Sequence, residues 1–581
     1  MSGNGQAFGV GRDKATVRAG HEKRPKVQRP TPKCRPMTDL EKLLIRARPG
    51  ASEWARGILK AAIRESGRER EILEGVAAYE YFVGVRASMM RRIAESIDVF
   101  GSVTWLKLIR ALNHRVLKLE YFQAEVEALS ILQIATNIAG TARATETREQ
   151  VAIEPRSAMR LARLLEVAYL VEQSEWGIRS ATKGVRYITS AEELPTQYQS
   201  NSLISILREF DLRNSWRSVE RWTTELSRDE VTDPPIYRIL NAYSYQDGYL
   251  ADNAWDSTVA LEPKHGFHQF TLRIEEAKGP SRDPLDPGVL EAFERPIEVV
   301  ATTILGRLML QKVLEDGLAL YPDLTQRGLM TMGMEDLRSD LDAEINKQLV
   351  QKWLDSHAQT GQNAERCLQV VKSMYRPLER SYPGPILYEE GENAIVDVAA
   401  LTWHASVELR INARHGGRLV NIGAKRFEDV TQALIDETSY KPEPTVRDLV
   451  QRKLRFNGKD VTDIDAIVQF DRRLFLISCK RTLVGVNYIA GEYREMIAAK
   501  SRIEQALDEW ADRLAFFKDH PIGDNYDFSD FSLNGLVLVP EMIFTPDARA
   551  REITPIGVAG LGVTGLETID QFASILEMAS W

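Results

Sequence analysis

Asp465 and Lys480, in the C-terminal third of the chain, carry side chains suited to metal-assisted phosphate chemistry. Asp465 lies in Thr462-Asp-Ile-Asp-Ala-Ile-Val468 and Lys480 closes Leu474-Phe-Leu-Ile-Ser-Cys-Lys480, with a turn at Asp471-Arg-Arg473 between the two apolar runs. In a strand, residues two apart share a face, so Ser478 and Lys480 point one way and Cys479 the other, while Asp463 and Asp465 share a face of the neighbouring strand. Antiparallel pairing across the turn brings Asp465 and Lys480 to the same end of the hairpin. A carboxylate there can hold a divalent cation. An ammonium beside it can orient or deprotonate a water and neutralise charge on an attacked phosphate.

The surrounding pattern supplies a frame for these residues. Periodicity predicts a helix over 394–413, a break at Gly416-Gly417, and a second helix over 425–435. Strands follow near 453–456, 462–470 and 474–478, then a long helix over 488–517, a strand over 533–540 and a final helix over 566–579. Helix, three meandering strands, helix and strand make an α/β sandwich whose sheet can hold chemistry at one edge.

On these residues the segment 395–545 resembles the PD-(D/E)xK nuclease superfamily, which includes many restriction endonucleases, Holliday-junction resolvases and phage-defence nucleases. The resemblance implies that Asp465 binds metal, that Lys480 is catalytic, and that Glu428 of Gly423-Ala-Lys-Arg-Phe-Glu-Asp429 is the family's helical acid. It further implies the Cys479 backbone carbonyl as a metal ligand and Mg²⁺ or Mn²⁺ as the cofactor. Ser478 stands where the family usually has a second carboxylate, and a hydroxyl is a weak, neutral ligand. Three outcomes are open: the site works with serine there; the acid comes from Glu428, Asp463, Glu492 or Glu495; or catalysis is lost and binding kept. Lys425, Arg426, Arg472, Arg473 and Arg481 are candidates for contacts to a phosphate backbone.

The chain of 581 residues is too long for one core, and roughly 150 residues per domain suggests about three or four units. The formal net charge of −8 conceals a basic arm over residues 1–37, in which Arg12, Lys14, Arg18, Lys23, Arg24, Lys26, Arg29, Lys33 and Arg35 crowd together. That arm lacks the apolar residues needed to order itself, and either touches nucleic acid or is simply solvated. A helical domain is expected over 38–185, with one stripe running through Trp105, Ile109, Leu112, Val116, Leu119, Phe122, Val126 and Leu129 behind a Ser102 cap. A second helix is expected over 157–176. Residues 186–287 read as a mixed insert with a strand over 267–274. Helices resume at 289–320, 334–353 and 364–378, and the α/β domain spans 381–581.

Other motifs carry less. Gly560-Leu-Gly-Val-Thr-Gly565 fits GxGxxG, but the chain leaves no room after it for the next strand and its ribose-binding acid, so it reads as a turn into the last helix. His265 and His268 lack further ligands at zinc spacing, and Cys479 should face the core rather than act as a nucleophile. The cysteines, Cys34, Cys367 and Cys479, make no disulfide framework, and no leader or membrane segment is evident, so a soluble cytoplasmic protein is expected.

The expectation is a multidomain protein with a mainly α-helical N-terminal region and a C-terminal α/β restriction-endonuclease-like sandwich. Its function would be metal-dependent DNA endonuclease, used in bacterial defence against phage or plasmid DNA. The helical region would sense or assemble, pairing with itself as a homo-oligomer or with a partner defence protein. The alternatives are a catalytically inactive nuclease-like nucleic-acid binder and a helical protein-interaction scaffold.

Overall fold

The computed structural model describes residues 39–110, 112, 125–143, 154–197, 203, 207, 235–244, 270–278, 285, 287–290, 293, 295–347, 350–357, 363–377, 379, 383–411, 418–482, 485–540, 543–545, 553–554, 557–558, 564–568 and 572. The basic arm and the His265/His268 pair lie outside these residues.

The first part is helical: α1 (Asp39–Ser66), α2 (Gly75–Ile97), α3 (Ser102–Arg110), α4 (Glu125–Ala139) and α5 (Pro155–Ala181). Apolar residues at three- and four-residue steps bind them together, among them Leu59, Ala62 and Ile63 of α1, Phe82, Val85 and Met89 of α2, and Leu161, Leu164 and Ala168 of α5. At Gly177 the ring of Phe82 comes so close that an added Cβ would lie 2.5 Å from it, so only glycine admits that contact. Arg86 and Glu175 form a buried ion pair between α2 and α5 at 2.8 Å. The expected long stripe is interrupted, because α3 ends at Arg110. Trp105, Ile109 and Leu112 are buried as expected. Val116, Leu119 and Phe122 lie outside the described residues, and Val126 and Leu129 belong to the separate helix α4. A small sheet of β1 (Ile72–Leu73), β2 (Tyr187–Ile188) and β3 (Thr196–Gln197) accompanies these helices.

In the middle of the chain β4 (Pro235–Ser244) pairs antiparallel with β5 (Phe270–Lys278), slightly later than the strand expected over 267–274. The expected helix over 289–320 is broken: α6 runs Pro296–Asp316 and stops at Gly317, whose φ is 84°. β6 (Leu329–Gly333) precedes α7 (Met334–Lys347), α8 (Val350–His357) and α9 (Asn363–Ser373). β7 (Leu387–Glu390) and β8 (Asn393–Asp397) then complete a sheet of order β6-β8-β7, followed by α10 (Val398–Ile411). The helix expected from Ala394 therefore begins as a strand. A short apolar run such as Ala394-Ile-Val has no period to distinguish the two states, and pairing on both sides decides it. Ile386, Ala394, Val396, Val398 and Leu401 pack with α6 and α9, so this core runs past the expected boundary at 381. Asp397, fully buried, receives a forked pair of hydrogen bonds from Arg110 of α3 at 2.8 and 2.6 Å and the Ala400 N–H at 3.0 Å.

The last part comprises α11 (Arg418–Asp436), β9 (Leu454–Phe456), β10 (Lys459–Thr462), β11 (Ala466–Phe470), β12 (Arg473–Cys479), α12 (Tyr493–Asp519), β13 (Ser532–Val539) and β14 (Thr564–Thr568). β9 and β10 form their own hairpin around Asn457 and Gly458, both at positive φ as a tight hairpin turn requires. The strand expected over 462–470 is accordingly split: Thr462 ends β10 and the ladder with β12 starts at Ala466. The main sheet has the order β11-β12-β13-β14, the first pair antiparallel and the others parallel. Residues 566–568, expected as the start of the final helix, belong to the strand β14; of the remainder up to 579 only Phe572 is described. Gly565 pairs with Leu536 inside that strand, so the glycine-rich run leads into a strand rather than a helix.

Helices cover both faces of this sheet. Phe427 and Ile435 of α11 pack on Ala466, Val468, Phe475 and Ile477. Met496, Ile503, Leu507 and Trp510 of α12 pack on Ile467, Leu474, Leu476 and Val537, and the Trp510 indole N–H donates to the Leu476 carbonyl at 2.9 Å. The core beneath α12 is continuous with that of α1, α2 and α5. The structure thus has a helical region and an α/β part, and no described helix is long and apolar enough to cross a membrane.

Candidate functional site

The open end of the β11–β12 hairpin is closed by a side chain. Asp465 donates its backbone N–H to the Ile477 carbonyl at 3.1 Å, and its Oδ2 accepts the Cys479 N–H at 2.6 Å. The carboxylate is thereby fixed at the C-terminal end of β12, one residue from Lys480. Burial is the main influence on Asp465 and raises its pKa; the Cys479 N–H opposes it, Glu428 adds to the rise, Lys480 opposes, and Asp463 adds a little, leaving the pKa at about 6.

Glu428 owes its position to Gln432, one turn later on α11. β11 is the edge strand of its sheet, and the buried Gln432 Oε1 accepts the N–H of Ile467 at 2.9 Å. Four residues back along a helix is about 6 Å, and two residues back along a strand is about 6.6 Å. The two offsets match, so a helix pinned at Gln432–Ile467 brings Glu428 alongside Asp465. Nothing in the sequence pattern singles out Gln432, since an amide on an amphipathic helix reads as a surface residue. The edge is also occupied by the Gln469 N–H, which donates to the Tyr440 carbonyl at 3.0 Å.

On β12 the predicted alternation is present. Cys479 faces α11, its Sγ 3.7 Å from Thr431 Oγ1, and burial pushes its thiol far up, which excludes a thiolate nucleophile. Ser478 is 4 % exposed. Lys480 lines a cavity of about 210 Å³ against α12 together with Thr482, Arg502, Ile503, Gln505, Ala506 and Glu509. Of the acids considered as replacements for a second carboxylate, Glu428 and Asp463 act on Asp465. Glu492 instead accepts a hydrogen bond from Tyr79 of α2, and Glu495 lies in the first turn of α12.

The candidate phosphate-contacting residues divide by place. Lys425 pairs with Glu428 at 3.3 Å and Asp429 at 3.5 Å and also reaches Gln451, so its charge is already engaged beside the site. Arg481 is half-buried directly after Lys480. The side chain of Arg426 is outside the described set. Arg472 and Arg473 are exposed at the turn, the opposite end of the hairpin. Seven strand steps, roughly 23 Å, separate Arg473 from Lys480, which removes both arginines from the site.

The donor set near Asp465 is two carboxylates with a strand-end carbonyl available at Cys479, all hard oxygen ligands. Among the described residues no three His, Cys, Asp or Glu side chains converge as a metal cage. An oxygen set of this size suits Mg²⁺ or Mn²⁺, which keep several waters and take the rest from a substrate phosphate. Burial chiefly, and then the charge of Glu428, raise the pKa of Asp465, and the like-charge part is a strain that a bound cation would relieve. Compared with known proteins, the chain matches no family model, no curated protein and no solved structure, so the chemistry of this site rests on its own geometry.

Proposed function

We propose that the α/β part is a restriction-endonuclease-like sandwich of the PD-(D/E)xK type, and that the protein is a metal-dependent DNA endonuclease. The observation that carries this reading is the Gln432–Ile467 pin, which sets Glu428 against Asp465 at the strand end that bears Lys480. Asp465, Glu428 and the Cys479 carbonyl would hold Mg²⁺ or Mn²⁺. When bound, such a cation supplies Lewis-acid polarisation of the phosphate and a water of lowered pKa. The Cys479 N–H holds one Asp465 oxygen in place and leaves the other for ligation. Above pH 6 Asp465 is mostly ionised and able to act. The Lys480 ammonium, at the mouth of its cavity, neutralises charge on the attacked phosphate and orients the incoming water.

Purified full-length protein should nick or cut DNA in Mg²⁺ or Mn²⁺, and Asp465→Ala and Lys480→Ala should abolish cutting. Unchanged cleavage in both variants would sink the assignment. Defence against foreign DNA, with the helical region as sensor or assembly surface, extends the same proposal; loss of phage restriction in cells carrying Asp465→Ala is its test.

A second reading has two observations in its favour: Ser478 is buried, and no third acid side chain completes a cage among the described residues. On that reading the same groove binds nucleic acid without cutting it. DNA binding in EDTA, with no cleavage in either cation, would select it.

A further inference from the structure

The cavity beside Lys480 brings two cations and one acid together. It is lined by two cations, Lys480 at the end of β12 and the exposed Arg502 of α12, with Thr482, the exposed Gln505, Ile503 and Ala506. Its acid, Glu509, already accepts the Gln505 amide at 2.8 Å. Among the described residues neither Lys480 nor Arg502 makes a salt bridge within 4 Å, and Lys480 is near enough to Asp465 to lower its pKa. Of the other cations near the sheet, Lys425 is matched by Glu428, Arg447 by Asp436, Arg455 by Asp460 and Lys500 by Glu504. Two cations against one acid at a single concavity, in a chain of formal charge −8, mark a local site for an anion against the field of the whole molecule. The volume of about 210 Å³ equals roughly seven waters at about 30 Å³ each, enough for a tetrahedral oxyanion and some of its hydration.

We propose that this cavity seats a backbone phosphate of the bound strand neighbouring the one that is attacked. Arg502 grips its oxygens with the guanidinium fork, while Thr482 and Gln505 donate to the remaining oxygens. Lys480 lies between the two phosphates, with Asp465 on one side and this cavity on the other. Arg502 is a positioning residue, and its role rests on the nuclease reading for the identity of the strand, though not for the presence of an anion site.

The test is binding of a short fluorescent DNA duplex to the full-length protein in EDTA, over a range of salt, by anisotropy. Arg502→Glu should weaken binding by about tenfold or more and lower the salt slope by about one, because one phosphate contact is lost. Arg502→Lys should recover part of the affinity, and Arg513→Glu, an exposed change elsewhere on α12, should leave it near wild type. Gln505→Glu, which adds an acceptor to the cavity without touching the cations, should also weaken binding. Wild-type affinity and salt slope in Arg502→Glu overturn the proposal. So does the case in which Arg502→Glu abolishes binding of inorganic phosphate but not of duplex, since the site would then serve a free anion. If Arg502→Glu weakens duplex binding and yet the wild type never cuts in Mg²⁺ or Mn²⁺, the nuclease reading falls and the subsite stands. If cutting occurs while Arg502→Glu binds normally, the reverse holds.

Discussion

Gln432 and Ile467 are joined by a single buried hydrogen bond, amide oxygen to backbone N–H at 2.9 Å, and this bond fixes the register between α11 and the edge strand β11. Both residues are essentially inaccessible, so the bond has no competing water. Replacing Gln432 by Leu leaves the Ile467 N–H buried and unpaired, at a cost of about 1–3 kcal/mol. The expected result is a lower urea midpoint and a weakened Mn²⁺ affinity by calorimetry, with the affinity loss exceeding that from a core change far from α11, such as Val85→Ala. Equal losses in the two variants would mean that Gln432 stabilises without positioning.

Asp465 should be a stability liability in the absence of metal. Its folded pKa is about 6, above the usual carboxylate value near 4, so between those limits the folded chain holds the proton more tightly than the unfolded chain. Stability therefore falls as pH rises from about 4 to about 6, and the full penalty remains above that. In EDTA at neutral pH, Asp465→Asn should be more stable than wild type by on the order of 2 kcal/mol, with the gain vanishing below pH 4. A variant that is less stable at neutral pH would contradict this.

His404 should confer acid lability of the opposite sign. Burial, aided by Arg376, holds its imidazole pKa down to about 3. An unfolded histidine takes its proton near 6.5, so between about 6.5 and about 3 the unfolded chain binds more protons and stability falls as pH falls. Urea midpoints of wild type and His404→Phe, measured together across that range, should diverge in the variant's favour as pH drops. A constant difference would remove His404 as the cause.

Arg110 and Asp397 tie α3 to the start of α10 across a wide sequence separation. Asp397 is fully buried, so Arg110→Ala leaves an uncompensated carboxylate and should cost about 3–5 kcal/mol. Arg110→Lys should recover little, because an ammonium cannot reproduce the planar fork. Differential scanning calorimetry on the three proteins reads this directly, and full recovery by lysine would show that charge alone matters there.

Ser478 sits on the face turned toward α12, so a carboxylate placed there is forced into a buried position. Ser478→Glu should melt below wild type in EDTA and gain more from Mn²⁺ than wild type does, the signature of an acid that ligation relieves. An equal Mn²⁺ shift in both proteins would place the new carboxylate away from the cation.

The sequence carried the hairpin, the helix of Glu428 and the long α12 clearly, because periods of two and of three to four residues are unambiguous when sustained. It misled where the period was short or accidental. Ala394-Ile-Val could be strand or helix until β6 and β7 flanked it. Leu566, Ile569 and Phe572 step by three as a helix does, yet residues 564–568 pair with β13. Arg472 and Arg473 sit next to the chemistry in sequence and at the far end of the hairpin in space, which a one-dimensional reading cannot separate. Gln432 and Arg502 were invisible because their roles depend on which strand each helix lies against.

Gly491, at φ 73°, lies so close to α5 that an added Cβ would sit 2.9 Å from the Arg179 Cα, and at the start of α12 the Tyr493 ring lies 5.9 Å from that of Tyr79 on α2. The two parts of the chain are therefore not interchangeable cassettes. A recombination breakpoint between residues 411 and 418 would strip Gly491, Glu492 and Tyr493 of their contacts with Arg179 and Tyr79. Gene shuffling can transplant this half onto a new N-terminal region only where the incoming helices already carry the complementary surface, so the pair must be inherited, and must diverge, as one unit.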